Sequence, residues 1–321
     1  MVIISLQPMD DVEGLLLRRI ILQSIPNTCF QDIEIDDNKS VLSNCHIKSR
    51  IQNLPVPFPA FSNEQKFQDF IDENEELVVN HAGDEDDGCY LDIMCECSKS
   101  YDAKNEVVKQ YVTTEDFTFY KNDHEAKTGT KIIIPNPYIS SRDIFKVVDL
   151  HPVVVTTKPC HDEVTSTESL AFRAKIKIGV PYISSTYSIC ETPVILPSPG
   201  DVQTMELVPR IDLDTNLIIA FAKRIYTKKM RYYINLYSNR EFVKNGTLVF
   251  KNDMFSMPVY ITKKLNSRSD VSFASCDLHN FHKKDGVVNY IMKSEIHNNN
   301  NHISEILQEI LNESNLLTTC D

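Results

Sequence analysis

A segment near the N-terminus of this 321-residue chain predicts a helix that is apolar on almost every side. Its apolar residues are Leu15, Leu16, Leu17, Ile20, Ile21, Leu22 and Ile25. Acidic residues precede this run and Pro26 ends it, so we expect a helix over Asp10–Ile25. A helix that is apolar all round must be buried all round, which requires a second domain or subunit in addition to the helix's own sheet.

Three arginines in this region need acceptors. Arg18 and Arg19 interrupt the apolar helix, and Arg50 opens an R-I-x-x-L-P sequence. A guanidinium on a buried helix is costly unless carboxylates or carbonyl oxygens receive it. The residues alone leave two interpretations open, which are internal salt bridges to Glu34 or Asp36 and docking contacts to a larger partner protein.

Two later segments predict helices with broad apolar faces. The first, Asp212–Tyr237, carries Leu217, Ile218, Phe221, Ala222, Ile225 and Tyr233. The second, His302–Leu316, carries Ile303, Ile306, Leu307, Ile310 and Leu311 at helical spacing. One small sheet cannot cover these two helices and Asp10–Ile25. Because burial contributes roughly 25 cal/mol per Å2 of apolar surface, we expect the three helices to pack against one another.

The remaining pattern predicts an α+β fold with a discontinuous first domain. We expect strands at Val2–Leu6, around Ile33 and Ile35, and at Tyr90–Cys97, Val107–Thr113, Lys131–Ile134, Leu170–Ile178 and Val202–Val208. Residues 39–195 thus predict a β-rich domain inserted into a unit made of residues 1–38 and 196–238. Pro193–Gly200, which contains three prolines and a glycine, predicts the connector.

Residues 239–321 predict a second small domain. Its expected elements are a strand at Thr247–Phe250, a helix at Ser256–Asn266, strands at Val271–Cys276 and Val287–Ser294, and the helix at His302–Leu316. The predicted order is therefore strand, helix, strand, strand, helix.

Composition excludes several classes of function. A formal net charge of −12 argues against a surface that wraps duplex DNA. Only eight glycines are present, and neither the P-loop nor the dinucleotide-binding glycine motif occurs. No apolar run is long enough for a membrane span, and no signal sequence precedes the scattered cysteines. We therefore expect an intracellular protein with free thiols and no membrane contact.

Three cysteines lie close together at Cys89, Cys95 and Cys97. A structural zinc site needs four ligands, usually supplied as closely spaced pairs, and no fourth ligand is evident here. Cys95 and Cys97 fall on the same side of a predicted strand. The pattern therefore favours core packing over a metal site, and we expect this chain to hold no metal or cofactor.

Other polar clusters have a simpler interpretation than chemistry. A metal site or a catalytic pair is one interpretation of Cys276, His279 and His282. The pattern favours a loop with exposed histidines instead. The acidic run Asp84–Asp87 lacks the alternating ligands of a calcium loop and indicates a solvated turn. The basic residues of the long helix favour solvation and acidic partner contacts over nucleic acid; they are Lys223, Arg224, Lys228 and Arg231.

Motifs in both terminal regions resemble RNA polymerase subunits. The N-terminal motifs Leu17-Arg18-Arg19, Ile25-Pro26, Asp32–Asp36 and Ser49–Val56 resemble the family of the bacterial alpha subunit, the archaeal D subunit and the third-largest subunit of eukaryotic RNA polymerase II. Gln52 stands where that family has a glycine, in a loop. Leu248–Asp253 and Asp270–Cys276 resemble the eleventh subunit and archaeal L, although Met254–Pro258 replaces the H-T-L-G-N signature. A chain that joins both resembles the fused subunit of asfarvirus- and poxvirus-type polymerases.

The resemblance implies a non-catalytic assembly subunit. It implies that two dimerisation units pair through their helices as an intramolecular pseudo-dimer, on which the two largest polymerase subunits assemble. The implied interface residues are Leu16, Ile20, Leu217, Phe221, Ile306 and Ile310. Arg18, Arg19 and Arg50 are the implied contacts to the large subunits. The catalytic magnesium belongs to the largest subunit, and other small subunits are further expected partners. We expect no sequence-specific nucleic-acid binding by this chain and, for a viral owner, a location in host cytoplasm and virion.

Three alternatives make different predictions. A stand-alone alpha-like subunit with an unrelated C-terminal tail predicts that Thr247–Leu316 lacks the strand, helix, strand, strand, helix order. A structural interaction protein unrelated to transcription predicts a continuous domain rather than a split one. A thiol or metal enzyme predicts a functional site at the three clustered cysteines.

Overall fold

The structure is a computed structural model with an α+β fold, as the sequence predicts. It describes residues 2–5, 11–56, 61, 63–81, 89–101, 110–122, 131–141, 144–155, 164–191, 193–196, 204–210, 213–238, 245–253, 256–280, 285–293 and 303–316.

The helices and strands follow in chain order. The helices are α1 (Asp11–Gln23), α2 (Asn44–Gln52), α3 (Glu64–Glu73), α4 (Glu75–Asn80), α5 (Pro137–Ser141), α6 (Thr215–Ser238), α7 (Ser256–Asn266) and α8 (Ile303–Glu313). The strands are β1 (Val2–Ser5), β2 (Asn27–Asn38), β3 (Cys89–Ser100), β4 (Gln110–Thr113), β5 (Thr118–Asn122), β6 (Lys131–Ile134), β7 (Lys146–Leu150), β8 (Pro152–Val155), β9 (Val164–Thr167), β10 (Ser169–Gly179), β11 (Val194–Leu196), β12 (Thr204–Leu207), β13 (Asn245–Phe250), β14 (Val271–Asn280) and β15 (Asp285–Met292).

The chain divides into two compact units. The first unit takes its described residues from Met1–Asn27, Phe61–Asp87 and Val180–Asp321, and the second takes its residues from Thr28–Ala60 and Gly88–Gly179. The first unit is thus discontinuous in sequence.

The first unit contains two antiparallel sheets with the same strand topology. One has the order β1-β12-β11 and the other the order β13-β15-β14. In each sheet the last strand in sequence lies at the centre, paired on one side with the first strand and on the other with the second. The two sheets therefore have equivalent strand orders.

The helices of the first unit extend this duplication. We call β1, α1, β11, β12 and α6 the first repeat, and β13, α7, β14, β15 and α8 the second repeat. Both have the order strand, helix, strand, strand, helix, which is the order that the sequence predicts for the C-terminal region. Helix α1 packs against α7, and α6 packs against α8, so equivalent elements of the two repeats face each other.

Burial explains why α1 forms in this position. Leu17 and Ile21 are fully buried, and α1 packs against α6 as well as α7. The expectation of burial on every side is wrong at Leu15, which is 49% exposed. The neighbouring helices cover the faces that carry the other large apolar side chains and leave Leu15 outside.

Helices α3 and α4 were not predicted by the sequence pattern. The Asn63 side chain caps α3 by accepting a hydrogen bond from the Lys66 amide, and Phe67 and Ile71 form its buried face. Both helices contact α6. They therefore belong to the first unit, although they lie within the 39–195 segment that predicts a β-rich domain.

The second unit is built on a five-stranded sheet with the order β2-β10-β3-β5-β6. Its core includes Phe30, Phe119 and Phe172 from the sheet and Ile47 and Ile51 from α2. The pairs β4-β7 and β8-β9 complete its strands. The second unit is therefore mainly β.

Several predicted boundaries need correction. Gln52, expected in a loop, is the last residue of α2. The strand expected at Val271–Cys276 continues to Asn280, because β14 stays paired with β15 along that length. The strand expected at Val107–Thr113 begins at Gln110 in the structure, and residues 107–109 lie outside the described part of the chain.

Candidate functional site

Arg18 joins α1 to the sheet of its own repeat. Its half-buried guanidinium donates from Nε to the Pro193 carbonyl oxygen over 2.6 Å, immediately before β11. Arg19 lies beside it and is also half-buried. A backbone carbonyl oxygen therefore accepts a hydrogen bond from the Arg18 guanidinium. This bond uses one of the five N–H donors of the guanidinium.

The carboxylates considered for internal salt bridges are taken by another arginine. Arg173 Nη2 lies 3.2 Å from Glu34 Oε2 and 2.9 Å from Asp36 Oδ1, across neighbouring strands of the second unit. The hydrogen bond from Arg173 and its charge lower the pKa of Asp36. Glu34 and Asp36 thus have Arg173 as an ion-pair partner within the second unit.

Arg50 occupies the last turn of α2 in the second unit. Its Nη1 donates to the Val147 carbonyl oxygen over 2.7 Å and so joins α2 to β7. The residue as a whole is exposed, and the hydrogen bond uses one of its N–H donors. Arg50 therefore has a local structural contact and an outward-facing position.

The predicted interface residues lie in helices that pack within the first unit. Leu16 and Ile20 on α1, Phe221 on α6, and Ile306 and Ile310 on α8 are all buried, and Leu217 on α6 is half-buried. Helix α6 contacts both α1 and α8. The three helices thus pack together, as their apolar faces predict.

A buried carboxylate at the contact of α1 with α7 was not predicted from the sequence. Glu13 is fully buried, and Lys264 Nζ lies 3.3 Å from its Oε1. Asn315 Nδ2 donates to the other carboxylate oxygen over 3.2 Å, and Ser314 Oγ donates to Oε1 over 3.4 Å. The carboxylate therefore links α1 to α7 and to the residues after α8. The only signal in the sequence is an acid in the first turn of an otherwise apolar helix.

The basic face of α6 meets an acidic helix of the same chain. Arg224 donates from Nη2 to Glu64 Oε2 over 2.6 Å, and Lys228 Nζ lies 2.7 Å from Asp72 Oδ1. Both acids lie on α3. Of the basic residues expected to make acidic contacts, which are Lys223, Arg224, Lys228 and Arg231, two therefore have acidic contacts with α3: Arg224 and Lys228.

A second buried polar cluster joins four parts of the first unit. Ser24 Oγ lies 3.0 Å from His81 Nε2, and Lys229 Nζ lies 3.2 Å from Ser24 Oγ and 3.3 Å from His81 Nε2. The His81 ring also stacks on Tyr182 with centroids 4.3 Å apart. Burial, with the Lys229 charge as a second cause, lowers the pKa of His81 well below its usual range. Burial also lowers the pKa of Lys229.

The clustered cysteines are core residues where their side chains are described. Cys95 and Cys97 are buried in the second unit, and burial raises the pKa of Cys97 to about 12. The side chain of Cys89 lies outside the described residues. Within the described residues, no group of three or more His, Cys, Asp or Glu side chains is placed to hold a metal ion.

Two other predicted clusters fall largely outside the structure's described ranges. These ranges do not include Asp84–Asp87 or His282. His279, expected in a loop, belongs to the backbone of β14, and its side chain is not described. Cys276 is half-buried on the same strand.

Among the described helices, none combines the length and apolar character needed to cross a membrane. No family model matches this chain, and no curated protein sequence matches it.

Proposed function

We propose that this chain is the assembly subunit of a DNA-directed RNA polymerase and has no catalytic centre of its own. It combines two alpha-like dimerisation units in one chain, and the two largest subunits assemble on the resulting platform. The observation that carries the proposal is the internal repeat of the first unit, with its equivalent helices facing each other.

The helix contacts have the form expected of a dimer about a twofold axis. In such an interface, a patch on one protomer meets the same patch on the other. Here α1 meets its equivalent α7, and α6 meets its equivalent α8. The resemblance to the third-largest and eleventh subunits implies this pairing, with both partners fused in one chain.

The position of the second unit also supports the proposal. In the first repeat, the chain between α1 and β11 contains the entire second unit. In the second repeat, residues 267–270 alone connect α7 to β14. The proposed split dimerisation domain with an inserted β-rich domain has this arrangement.

The proposed contacts to the two largest subunits are made by Arg18, Arg19 and Arg50. A guanidinium can bind a partner carboxylate in a bidentate manner through two parallel N–H donors. Leu15 on α1 and Val259 on α7 add large exposed apolar side chains at equivalent helices of the two repeats. The magnesium ion and the nucleotide chemistry belong to the largest partner, and a viral owner would place the complex in host cytoplasm and virion.

Purification of the tagged full-length chain from cells that produce it tests the proposal. We expect the two largest polymerase subunits to co-purify with it in equal amounts, identified by mass spectrometry. The isolated chain should be a monomer of 36.8 kDa in light scattering, because its dimer-like interface is internal. A homodimer, or a purified chain without the large subunits, would contradict the proposal.

A further inference from the structure

Residues 63–81, which contain α3, α4 and His81, form a segment that we call the arm. The Phe67 and Phe221 rings stack with centroids 4.0 Å apart and planes 10° apart, so the arm is packed on α6. The ion pair between Asp72 and Lys228 adds to this contact. The arm thus covers a face of α6 that is both apolar and basic.

His81 ends the arm at a demanding position. Its backbone φ is +48°, and its amide donates to the Glu76 carbonyl oxygen to close α4. The side chain is only 5% exposed, and it contacts Ser24 after α1, Lys229 of α6 and the Asn252 carbonyl oxygen after β13. A single imidazole therefore joins the arm to three other parts of the first unit.

The contacts of His81 define its protonation state. Nδ1 lies 3.4 Å from the Asn252 carbonyl oxygen, which can only accept a hydrogen bond, so we assign the proton to Nδ1. Nε2 then accepts from Ser24 or Lys229, and the ring is neutral. A proton on Nε2 would place a second positive charge 3.3 Å from Lys229 Nζ, in a site that is nearly closed to water.

The carboxylates around the cluster act on it from a distance: burial lowers the pKa of Lys229, and the Asp253 charge opposes that shift only in part. Tyr182 stacks on the ring and is neutral at physiological pH. Asp253 directs both carboxylate oxygens to the amides of Ser256 and Met257, at the start of α7. Asp285 accepts from the Asn252 amide. Among the described residues, no carboxylate forms an ion pair with either His81 or Lys229.

We propose that the arm is an acid-sensitive cover: it is held on α6 while His81 is neutral and is released when the imidazole gains a second proton. Release uncovers the face of α6 that carries Phe221, Arg224 and Lys228. Although burial opposes them, the hydrogen bonds from Lys228 and Gln68 lower the pKa of Asp72, so its ion pair with Lys228 remains intact at pH 5.5. His81 is therefore the group that responds between neutral and mildly acidic pH.

The size of the effect follows from proton linkage. A released His81 titrates near its ordinary pKa of about 6.5, whereas the docked ring stays neutral well below that value. Docking is therefore fully favourable above pH 6.5 and weakens as the pH falls. At pH 5.5, the equilibrium constant for release should be roughly tenfold higher than at pH 7.5.

Hydrogen exchange of the full-length chain at pH 7.5 and 5.5 tests this inference, after correction for intrinsic exchange rates. We expect the protection of the α3 and α4 amides to fall about tenfold at pH 5.5. Amides of β3 and β10, in the second unit, serve as the internal reference and should change by less than about twofold. Unchanged protection of α3 and α4 would overturn the proposal.

Variants identify the responsible histidine. His81→Gln keeps a neutral acceptor for Ser24 and Lys229, and it should remove the response to pH. His81→Asn is the second variant, because Asn tolerates the positive φ at this position well. His46→Gln alters an exposed histidine of α2 and should retain the tenfold change.

Three results would contradict the role of His81. The tenfold response could persist in His81→Gln or His81→Asn, or it could disappear in His46→Gln. An NMR titration of the unmodified chain tests the same point without variants that could fail to fold. If a His81 resonance titrates near pH 6.5 while the arm remains protected, docking does not require a neutral imidazole.

Discussion

Lys264 of α7 donates a hydrogen bond over 3.3 Å to Glu13 of α1, whose side chain is 1% exposed. This ion pair joins equivalent helices of the two repeats through a carboxylate that is almost inaccessible to solvent. Ser314 and Asn315 donate to the same carboxylate. The contact of α1 with α7 therefore has a polar centre as well as an apolar surface.

We predict that Glu13→Ala lowers the free energy of unfolding of the first unit by about 2–3 kcal/mol, because Asn315, the buried Ser314 and the half-buried Lys264 lose their acceptor. Urea denaturation followed by far-UV circular dichroism measures the loss. Glu305→Ala, which removes an exposed acid from α8, is the control and should change stability by less than about 0.5 kcal/mol. Equal effects of the two substitutions would mean that Glu13 has no special role.

Removal of the ring that packs the arm on α6 should also be costly. Phe67 is fully buried and stacks on Phe221, so Phe67→Ala should destabilise the first unit by about 3–5 kcal/mol through lost burial and a cavity. Phe273→Ala is the control, since Phe273 is 53% exposed. The same denaturation experiment compares them, and a loss below about 1 kcal/mol for Phe67→Ala would indicate that the arm packs loosely.

The arginines of α1 should affect assembly more than folding. The double substitution Arg18→Ala and Arg19→Ala removes two half-buried guanidinium groups, of which Arg18 has a carbonyl acceptor within its own repeat. We expect recovery of the large subunits to fall at least tenfold while the melting temperature shifts by only a few degrees. Lys263→Ala on α7 is an exposed control. Unfolding of the double variant would show that the arginines are structural instead.

Arg50 permits a similar test in the second unit. Arg50→Ala removes a guanidinium that holds the Val147 carbonyl oxygen, so a stability loss of about 1 kcal/mol is expected from the hydrogen bond alone. A contact to a large subunit would add a loss in co-purification. Lys48→Ala, at an exposed position of the same helix, should change neither quantity.

Cysteine reactivity should follow burial. Cys45 is exposed, whereas Cys95, Cys97 and Cys190 are buried, and burial raises the pKa of both Cys97 and Cys190 to about 12. Because the thiolate is the nucleophile, alkylation at pH 8 should modify Cys45 within minutes and leave the buried three unmodified until urea is added. Peptide mass spectrometry distinguishes the sites. Rapid native labelling of Cys97 would contradict its placement in the core.

The raised pKa of Cys97 also gives a direction for alkaline stability. A group whose pKa is raised in the folded state stabilises that state at any pH below the group's ordinary pKa. For this thiol the ordinary pKa is 9.0. That contribution is lost as the pH rises through about 12. Cys97→Ser should therefore show a weaker loss of stability between pH 9 and pH 11 than the unmodified chain.

Apolar periodicity made the main helices predictable. Leu16 and Ile20, or Ile306 and Ile310, are spaced four residues apart, and this spacing directs both side chains of each pair to one face. The structure buries all four. The element order of the C-terminal region followed from the same kind of local pattern.

Helices α3 and α4 have a weaker local signal in the sequence. Phe67 and Ile71 also lie four residues apart, and Asn63 is a preferred helix cap. Polar residues and an adjacent acidic run surround these few apolar residues. The local sequence of such a short helix, with two buried side chains, is therefore as typical of a loop as of a helix. Its packing on α6 is what identifies it as a helix.

The buried polar cluster could not be predicted from local pattern. Ser24 and Lys229 are 205 residues apart, and His81 and Lys229 are 148 residues apart. Each is an ordinary surface residue type, and Lys229 lies in a helix that carries several other cations. Only the packing of distant segments makes their contact visible, and the same is true of Glu13 with Lys264.

The strand pairing of the first repeat has a consequence for biosynthesis. Strand β1 pairs with β12, roughly 200 residues later, whereas β13 pairs with β15 within a short stretch of chain. At about 5–20 residues per second, a ribosome needs roughly 10–40 s to deliver the partner of β1. The second unit can fold during that delay. Until translation reaches the last third of the chain, the apolar surface of α1 therefore lacks the helices α6 and α7 that cover it in the folded protein.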